Sequence, residues 1–295
     1  MGELFALINA AGWSVSMVFA RRAQQRAQVG ILGGLYCSLM VNTIINALML
    51  LVTVQFRQLP PLTGKGLLCF VLAGICNSLV GRGLLFSAVS MLGAARAGVI
   101  KATTPVFALM EGVFLLHEVI TPLDGAAILV VLGGVLLIAL EGVRSSGAAW
   151  DSASRRGIWI GLAASFFLAL GNLFRKMGVQ EIPESSVGVL VGSVSGLITL
   201  SIFLQFTRPG TLLKTARKID SGYVIAGVST SVALYFLFTS LQMIPLSIAN
   251  SLTAVEPLFT LLLSCLLIGK QERPTPMLLI GAACTVLGAV LLACF

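Results

Sequence analysis

The sequence predicts an all-α membrane protein of ten transmembrane helices arranged as two inverted five-helix repeats. Three observations predict it. Of 295 residues, 57% are hydrophobic and only 10% are charged, with a mean hydropathy of +1.01. A soluble domain carries roughly 25% charged residues, so this chain lacks the polar surface to cover a body in water. The apolar residues also come in continuous rather than alternating runs, which excludes a membrane barrel, and the second half of the chain repeats the first.

The runs are Leu4 to Ala20, Val29 to Phe56, Gly66 to Ser90, Ala95 to Leu116, Gly125 to Leu140, Gly157 to Met177, Ser186 to Phe206, Gly222 to Leu241, Ser247 to Ile268 and Met277 to Phe295. A bilayer crossing needs about 20 such residues. Segment one could pass for a signal peptide, but Glu3 precedes it and Arg21 and Arg22 follow it, so it reads as the first membrane helix. Segment two is long enough to tilt, and segment five is short. Turn-forming and charged stretches separate the runs: Pro60-Pro61, Arg144 to Arg156, Arg208-Pro209-Gly210, Lys214 to Asp220 and Arg273-Pro274. Residues 1–140 thus form the first repeat, 141–156 a polar linker and 157–295 the second repeat.

The net charge of +8 is dispersed among the connections, with no aromatic-basic platform. It reads as topogenic charge and not as a nucleic-acid surface. Most of the Lys and Arg fall on the side that receives the end of segment one, Arg175 and Lys176 being counted on the other. The positive-inside tendency then puts both termini outside the cytoplasm. The six cysteines lie within apolar runs, with neither a CxxC pair nor a nearby His, so they form neither a disulfide framework nor a metal site.

The repeat runs at an offset of about 153 residues. Ala10 matches Ala164, Arg21-Arg22 matches Arg175-Lys176, and Ala73-Gly74 matches Ala226-Gly227. Further along, Ser78 matches Ser231, Phe86 Phe238, Met91 Met243, Pro105 Pro257, Glu118 Glu272, Thr121-Pro122 Thr275-Pro276 and Gly134 Gly288. Matched Pro, Glu and Gly positions do not arise from hydrophobicity alone. Five helices per copy is an odd number, so the second copy enters the membrane from the opposite face. That is the plan by which many secondary transporters build alternating access.

A proline midway along the fourth segment of each copy, a helix end reading Leu115-Leu116-His117-Glu118 with Thr121-Pro122 behind it, and a Gly-rich fifth segment ending Gly133-Gly134-Val135-Leu136-Leu137 carry a family resemblance. With Glu256-Pro257 in the second copy, this pattern resembles the EamA-type branch of the drug/metabolite transporter superfamily across essentially the whole chain. The first copy has Thr104 where the second has Glu256, and Ile268-Gly269-Lys270-Gln271 makes a longer connection than the pattern. The resemblance implies ten helices around a central cavity formed mainly by segments one, three, four, six, eight and nine. It also implies cytoplasmic termini, opposite to the charge count.

Charges at membrane depth cost about 2.5–3.5 kcal/mol each on insertion scales, which makes each a candidate for function. Arg82, Lys101, Glu111 and Glu256 qualify. Arg82 sits about eight residues from the end of segment three and Lys101 about six into segment four, roughly 12 and 9 Å deep from the same side. Two cations at similar depth suit a carboxylate or phosphate; the alternative is that they pair with Glu111 or Glu256. Lys101, Thr104, Ala108 and Glu111 recur at helical spacing and form one stripe expected to face the cavity. Trp13, Ser16, Asn172, Tyr235, Phe238, Asn250 and Thr253 are further candidate lining groups, the aromatics equally explained by packing. Pro105 and Pro257 are candidate kinks or hinges. Gly188, Gly192 and Gly196 form a doubled GxxxG on segment seven, read as packing within the bundle more than as a dimer interface.

Neither a Walker loop nor an H-E-x-x-H or GxSxG motif is present, so the chain reads as neither an ATPase nor a hydrolase. The expected function is a multi-pass secondary transporter of the cell membrane, not an enzyme and without a cofactor. It would move a small polar metabolite, such as an amino acid or organic anion, downhill, by exchange against a counter-substrate, or with protons. The alternatives are an exporter of lipophilic cations and, from another class, a lipid scramblase or other non-transporting membrane protein. The partners expected are the substrate and the lipid bilayer, with no nucleic acid, and the state a monomer or weak homodimer.

Overall fold

The computed structural model describes residues 1–26, 30–56, 60–101, 103–116, 152–207, 220–244, 255–267 and 275–294, with isolated positions between 123 and 137 and at 249, 252 and 253. Every regular element among them is a helix. In chain order these are α1 (Gly2–Gln25), α2 (Ile31–Phe56), α3 (Gly64–Leu92), α4 (Ala94–Lys101), α5 (Thr104–Leu116), α6 (Ser152–Glu181), α7 (Ser185–Thr207), α8 (Ser221–Met243), α9 (Glu256–Leu267) and α10 (Pro276–Cys294). Six of them, α1, α2, α3, α6, α7 and α8, contain stretches long and apolar enough to cross a membrane, and α9 and α10 contain shorter apolar ones. His117, Glu118, Thr121, Pro122, Asn250, Glu272 and most of segment five lie outside the described residues.

Local chemistry sets the helix ends. The Thr63 hydroxyl accepts the Gly66 amide at 3.2 Å, Asp220 accepts that of Gly222 at 2.7 Å, and Thr275 accepts that of Leu278 at 3.2 Å. Each cap satisfies a first-turn donor that nothing within the helix can reach. Gly93 at φ 87° lets the chain pass from α3 into α4 through one residue. Helix α6 begins at Ser152, so the end of the segment read as linker is helical. Ser152-Ala153-Ser154-Arg155-Arg156 contains no Gly or Pro; its polarity ends a membrane crossing, not a helix.

Segment four, read as one helix, is two. The chain breaks around Thr103 because Pro105 lacks an amide hydrogen and its ring cannot pack against the Lys101 carbonyl one turn earlier. The freed carbonyls find side chains instead: Thr104 donates to the Lys101 carbonyl at 2.6 Å, while Thr103 and Ser165 donate to that of Ile100 at 2.8 and 3.1 Å. Pro105 therefore sits in the first turn of α5, not at mid-helix. In segment nine the turn falls at Val255 and α9 starts at Glu256, one residue before Pro257.

Helices of the two repeats interleave. α1 lies along α8, α3 against α6, and α2 against α7 and α8. The middle of α3, Gly74–Gly81, is π-helical and presses on the glycine face of α7. A Cβ on Gly196 would stand 2.7 Å from that of Ser78, one on Gly188 2.5 Å from the Phe238 ring, and one on Gly74 would run into Ser195 and Gly192. The three glycines of α7 thus face inward. Leu48, Leu51, Ile198, Ile202, Leu262 and Leu266 are exposed, an apolar outside suited to lipid.

At one end of the bundle, Arg21 donates to the Ser90 carbonyl at 2.9 Å, Gln24 to that of Phe86 at 3.1 Å, and Arg26 pairs with Asp220 at 3.1 Å. At the other end, Lys65 pairs with Glu181 at 2.6 Å, and Gly2 lies against Met243 and Ile244.

Candidate functional site

A cavity of about 50 Å³ lies between helices of both repeats. Its walls come from segments one, three, four, six, eight and nine. α1 brings Asn9 and Trp13; α3 brings Asn77; the α4–α5 break brings Lys101, Thr104 and Pro105. From the second repeat, α6 adds Leu168, Asn172 and Arg175, α8 adds Leu237, and the ninth segment adds Thr253 and Glu256. Polar groups thus converge from both repeats on one space, with Trp13, Leu168 and Leu237 as its apolar wall.

Two broken helices supply the charges nearest the centre. Lys101 ends α4 and Glu256 begins α9, and the Lys101 ammonium meets the Glu256 carboxylate at 2.5 Å. Their side chains are 12% and 6% exposed. The acidic residue stands at a helix N-terminus and the basic one at a helix C-terminus, the orientation that the backbone dipoles favour. Ser14 donates to the Glu256 carbonyl at 3.0 Å, which ties α1 to the second break. Trp13 presents its ring to the pair, with the Lys101 nitrogen 4.1 Å from the ring centroid.

Arg175 is the residue the sequence reading misplaced. The charge count takes it with Lys176 as an edge charge at the end of segment six, yet α6 continues to Glu181 and Arg175 is 4% exposed within the cavity wall. Its guanidinium donates to the Asn172 side-chain oxygen at 2.7 Å and stands 5.5 Å from the Phe238 ring centroid. Asn77 donates to the same Asn172 oxygen at 3.3 Å and to the Leu168 carbonyl at 3.1 Å. The chain Asn77–Asn172–Arg175 therefore fixes the cation from the π-helical stretch of α3, a local geometry frequent at functional sites. A signal was present in the sequence: Asn172 and Arg175 are spaced three apart on one helix face. Asn9, which donates to the Ala233 carbonyl at 2.7 Å, and Asn77 are likewise amides inside apolar runs.

The remaining candidates divide. Thr104, Asn172, Thr253, Glu256, Lys101 and Trp13 line the cavity, and Phe238 lies beneath Arg175. Ser16 lies outside the lining, paired with the Thr230 hydroxyl at 2.9 Å, and the half-buried Tyr235 stacks edge-on against Phe236. Arg82 is completely buried outside the lining. Ala108 and Glu111, on α5 beyond the break, also fall outside it; both Glu111 carboxylate oxygens are buried without a hydrogen-bond partner among the described residues. Among the described residues no cluster of three or more His, Cys, Asp or Glu side chains could hold a metal ion.

Apolar membrane-length helices around a polar central cavity define a multi-pass membrane protein. The chain belongs to the EamA-like transporter family, whose model matches residues 1–140 and again 155–294. It is a multi-pass membrane transporter of the drug/metabolite transporter superfamily. A solved structure described as "Crystal structure of protein" shares the fold at a TM-score of 0.61 and 17% identity, covering 96% of this chain and 95% of that one. No curated protein matches the chain.

Proposed function

We propose that the chain is a secondary transporter of the cell membrane, an exporter or exchanger, moving a small metabolite with an anionic group by alternating access. The observation that carries this reading is Arg175. It is a buried cation in the wall of a cavity between the repeats, and its described hydrogen bond goes to a neutral amide. Lys101 is already matched by Glu256, so the cavity keeps an excess of one positive charge. A charge costs several kcal/mol at membrane depth, and a substrate carboxylate or phosphate would offset it. The same excess disfavours a lipophilic cation. The apolar wall of Trp13, Leu168 and Leu237 would take the body of the substrate.

Ten crossings in two inverted halves would permit the motion. The two helix breaks fall at positions matched by the repeat, Thr103-Thr104-Pro105 and Val255-Glu256-Pro257. Discontinuous helices at a cavity between repeats are a recurring design in secondary transporters. Rocking one repeat against the other would separate Lys101 from Glu256, since the pair joins the two halves. A proton or a counter-substrate would supply the coupling, and the chain would work as a monomer.

The test is uptake into proteoliposomes of purified protein, with amino acids, organic acids, sugar phosphates and a lipophilic cation as the panel. Saturable uptake confined to the anion-bearing members is expected. Uptake of the cation alone, or of nothing while lipid is scrambled, would overturn the proposal.

A further inference from the structure

Arg82 has no exposed surface and lies beside Trp13, outside the lining of the cavity. Its Nη2 donates to the Ser38 hydroxyl at 2.7 Å and reaches that of Thr230 at 3.5 Å. Its Nε and Nη1 have no hydrogen-bond partner among the described residues. The guanidinium stands 5.8 Å from the Trp13 ring centroid and 5.7 Å from that of Phe86. Its described neighbours are therefore neutral hydroxyls and rings, while Lys101 and Arg175 lie near enough to repel it. A buried cation with two open donors and no carboxylate is an incomplete site: the Coulomb partner that would offset its desolvation is missing.

Its place in the bundle says when that partner would arrive. Trp13 has both cations near its ring, the Lys101 ammonium 4.1 Å and the Arg82 guanidinium 5.8 Å from the centroid. Beyond Arg82, the bundle is shut by Arg21 on Ser90, Gln24 on Phe86 and Arg26 on Asp220. The cavity side chains Asn9, Arg175 and Leu237 instead lie toward the end where Gly2 meets Met243.

We propose that Arg82 is a second anion site, buried beside Trp13 in this conformation and presented to the opposite face when the α1–α3–α8 end opens. It would bind one small anionic group through its free Nε and Nη1, with the Ser38 and Thr230 hydroxyls alongside. This rests on the alternating-access reading for its role in transport, though not for the binding itself. The group is either the carboxylate of a transported metabolite or a free inorganic anion.

Trp13 is the reporter for the test. In the full chain carrying Trp150→Phe, Trp159→Phe and Arg175→Gln, the last removing the cavity's own anion partner, sodium formate and sodium chloride are titrated separately in detergent micelles, with the bulky sulfonate of sodium HEPES holding ionic strength constant. A saturable change in Trp13 emission is expected in this parent and should be lost when Arg82→Gln is added. Arg82→Lys keeps the charge but loses the planar fork, and should weaken the midpoint by at least about threefold. A response to formate alone marks a metabolite carboxylate, and a response to both marks an inorganic anion; either supports the site. An unchanged response in Arg82→Gln, or none in the parent, overturns it. Should Arg82→Gln not fold, an unchanged midpoint in Arg82→Lys overturns it equally. An anion response without metabolite uptake would remove the transport reading and keep the site, whereas uptake without a response would do the reverse.

Discussion

The Lys101 ammonium and the Glu256 carboxylate meet at 2.5 Å across two broken helices, one from each half of the chain. Each residue stands beside the interruption in its own segment, so the pair joins the moving parts and occupies the cavity wall at once. Lys101→Met or Glu256→Gln alone leaves the partner charge buried and unpaired, and should cost about 3–5 kcal/mol of stability. Thermal unfolding in detergent would show a marked fall for each single variant. The exchange Lys101→Glu with Glu256→Lys should recover part of it; no recovery would mean that the pair's geometry, not its charge balance, holds the site.

Asn172 sets a sharper test because its oxygen already accepts from Arg175. Asn172→Asp keeps the shape but gives Arg175 a carboxylate partner, which would compete with a substrate anion. Uptake of an anionic metabolite should fall roughly tenfold or more, a loss of at least ~1.4 kcal/mol in binding, while the protein remains monodisperse. Unimpaired uptake would place the anion elsewhere.

The glycine face of α7 predicts a contrast within one motif. A Cβ on Gly192 meets nothing nearer than 3.7 Å, whereas one on Gly196 would stand 2.7 Å from Ser78. Gly192→Ala should be nearly neutral and Gly196→Ala should cost about 1–3 kcal/mol through overpacking. Comparison of their melting temperatures checks it, and equal loss at both would mean that the α3–α7 approach is looser than described.

At the shut end, Arg26 and Asp220 form an ion pair, but Asp220 also caps α8 by accepting the Gly222 amide at 2.7 Å. Asp220→Ala should therefore cost about 1 kcal/mol more than a surface pair is worth. Arg26→Ala, at the half-exposed partner, should move the melting temperature little. Equal effects would show that the ion pair, not the cap, is what matters.

What was legible in the sequence follows from the physics of the bilayer. Membrane helices announce themselves by continuous apolar length, so Ser186 to Phe206 and Gly222 to Leu241 came within two residues of α7 and α8. Pro105 and Pro257 marked the breaks because proline acts locally, and the charge rule singled out Lys101 and Glu256. Arg175 was hidden because two adjacent cations after an apolar run look like the edge of the membrane. Only tertiary partners, Asn172, Asn77 and Phe238, show that the first of them is inside. Depth along its helix put Arg82 with Lys101, but depth says nothing about whether a side chain reaches the cavity lining, and that of Arg82 does not.

The central claim is that Arg175 receives the substrate's anionic group in the cavity between the repeats. The most direct measurement is the initial rate of proteoliposome uptake for the best anionic metabolite of the panel, compared between the wild type and Arg175→Gln at matched protein incorporation. Saturable uptake is expected in the wild type, with a loss of roughly tenfold or more in Arg175→Gln, about 1.4 kcal/mol or greater. Equal uptake by the two proteins would contradict it.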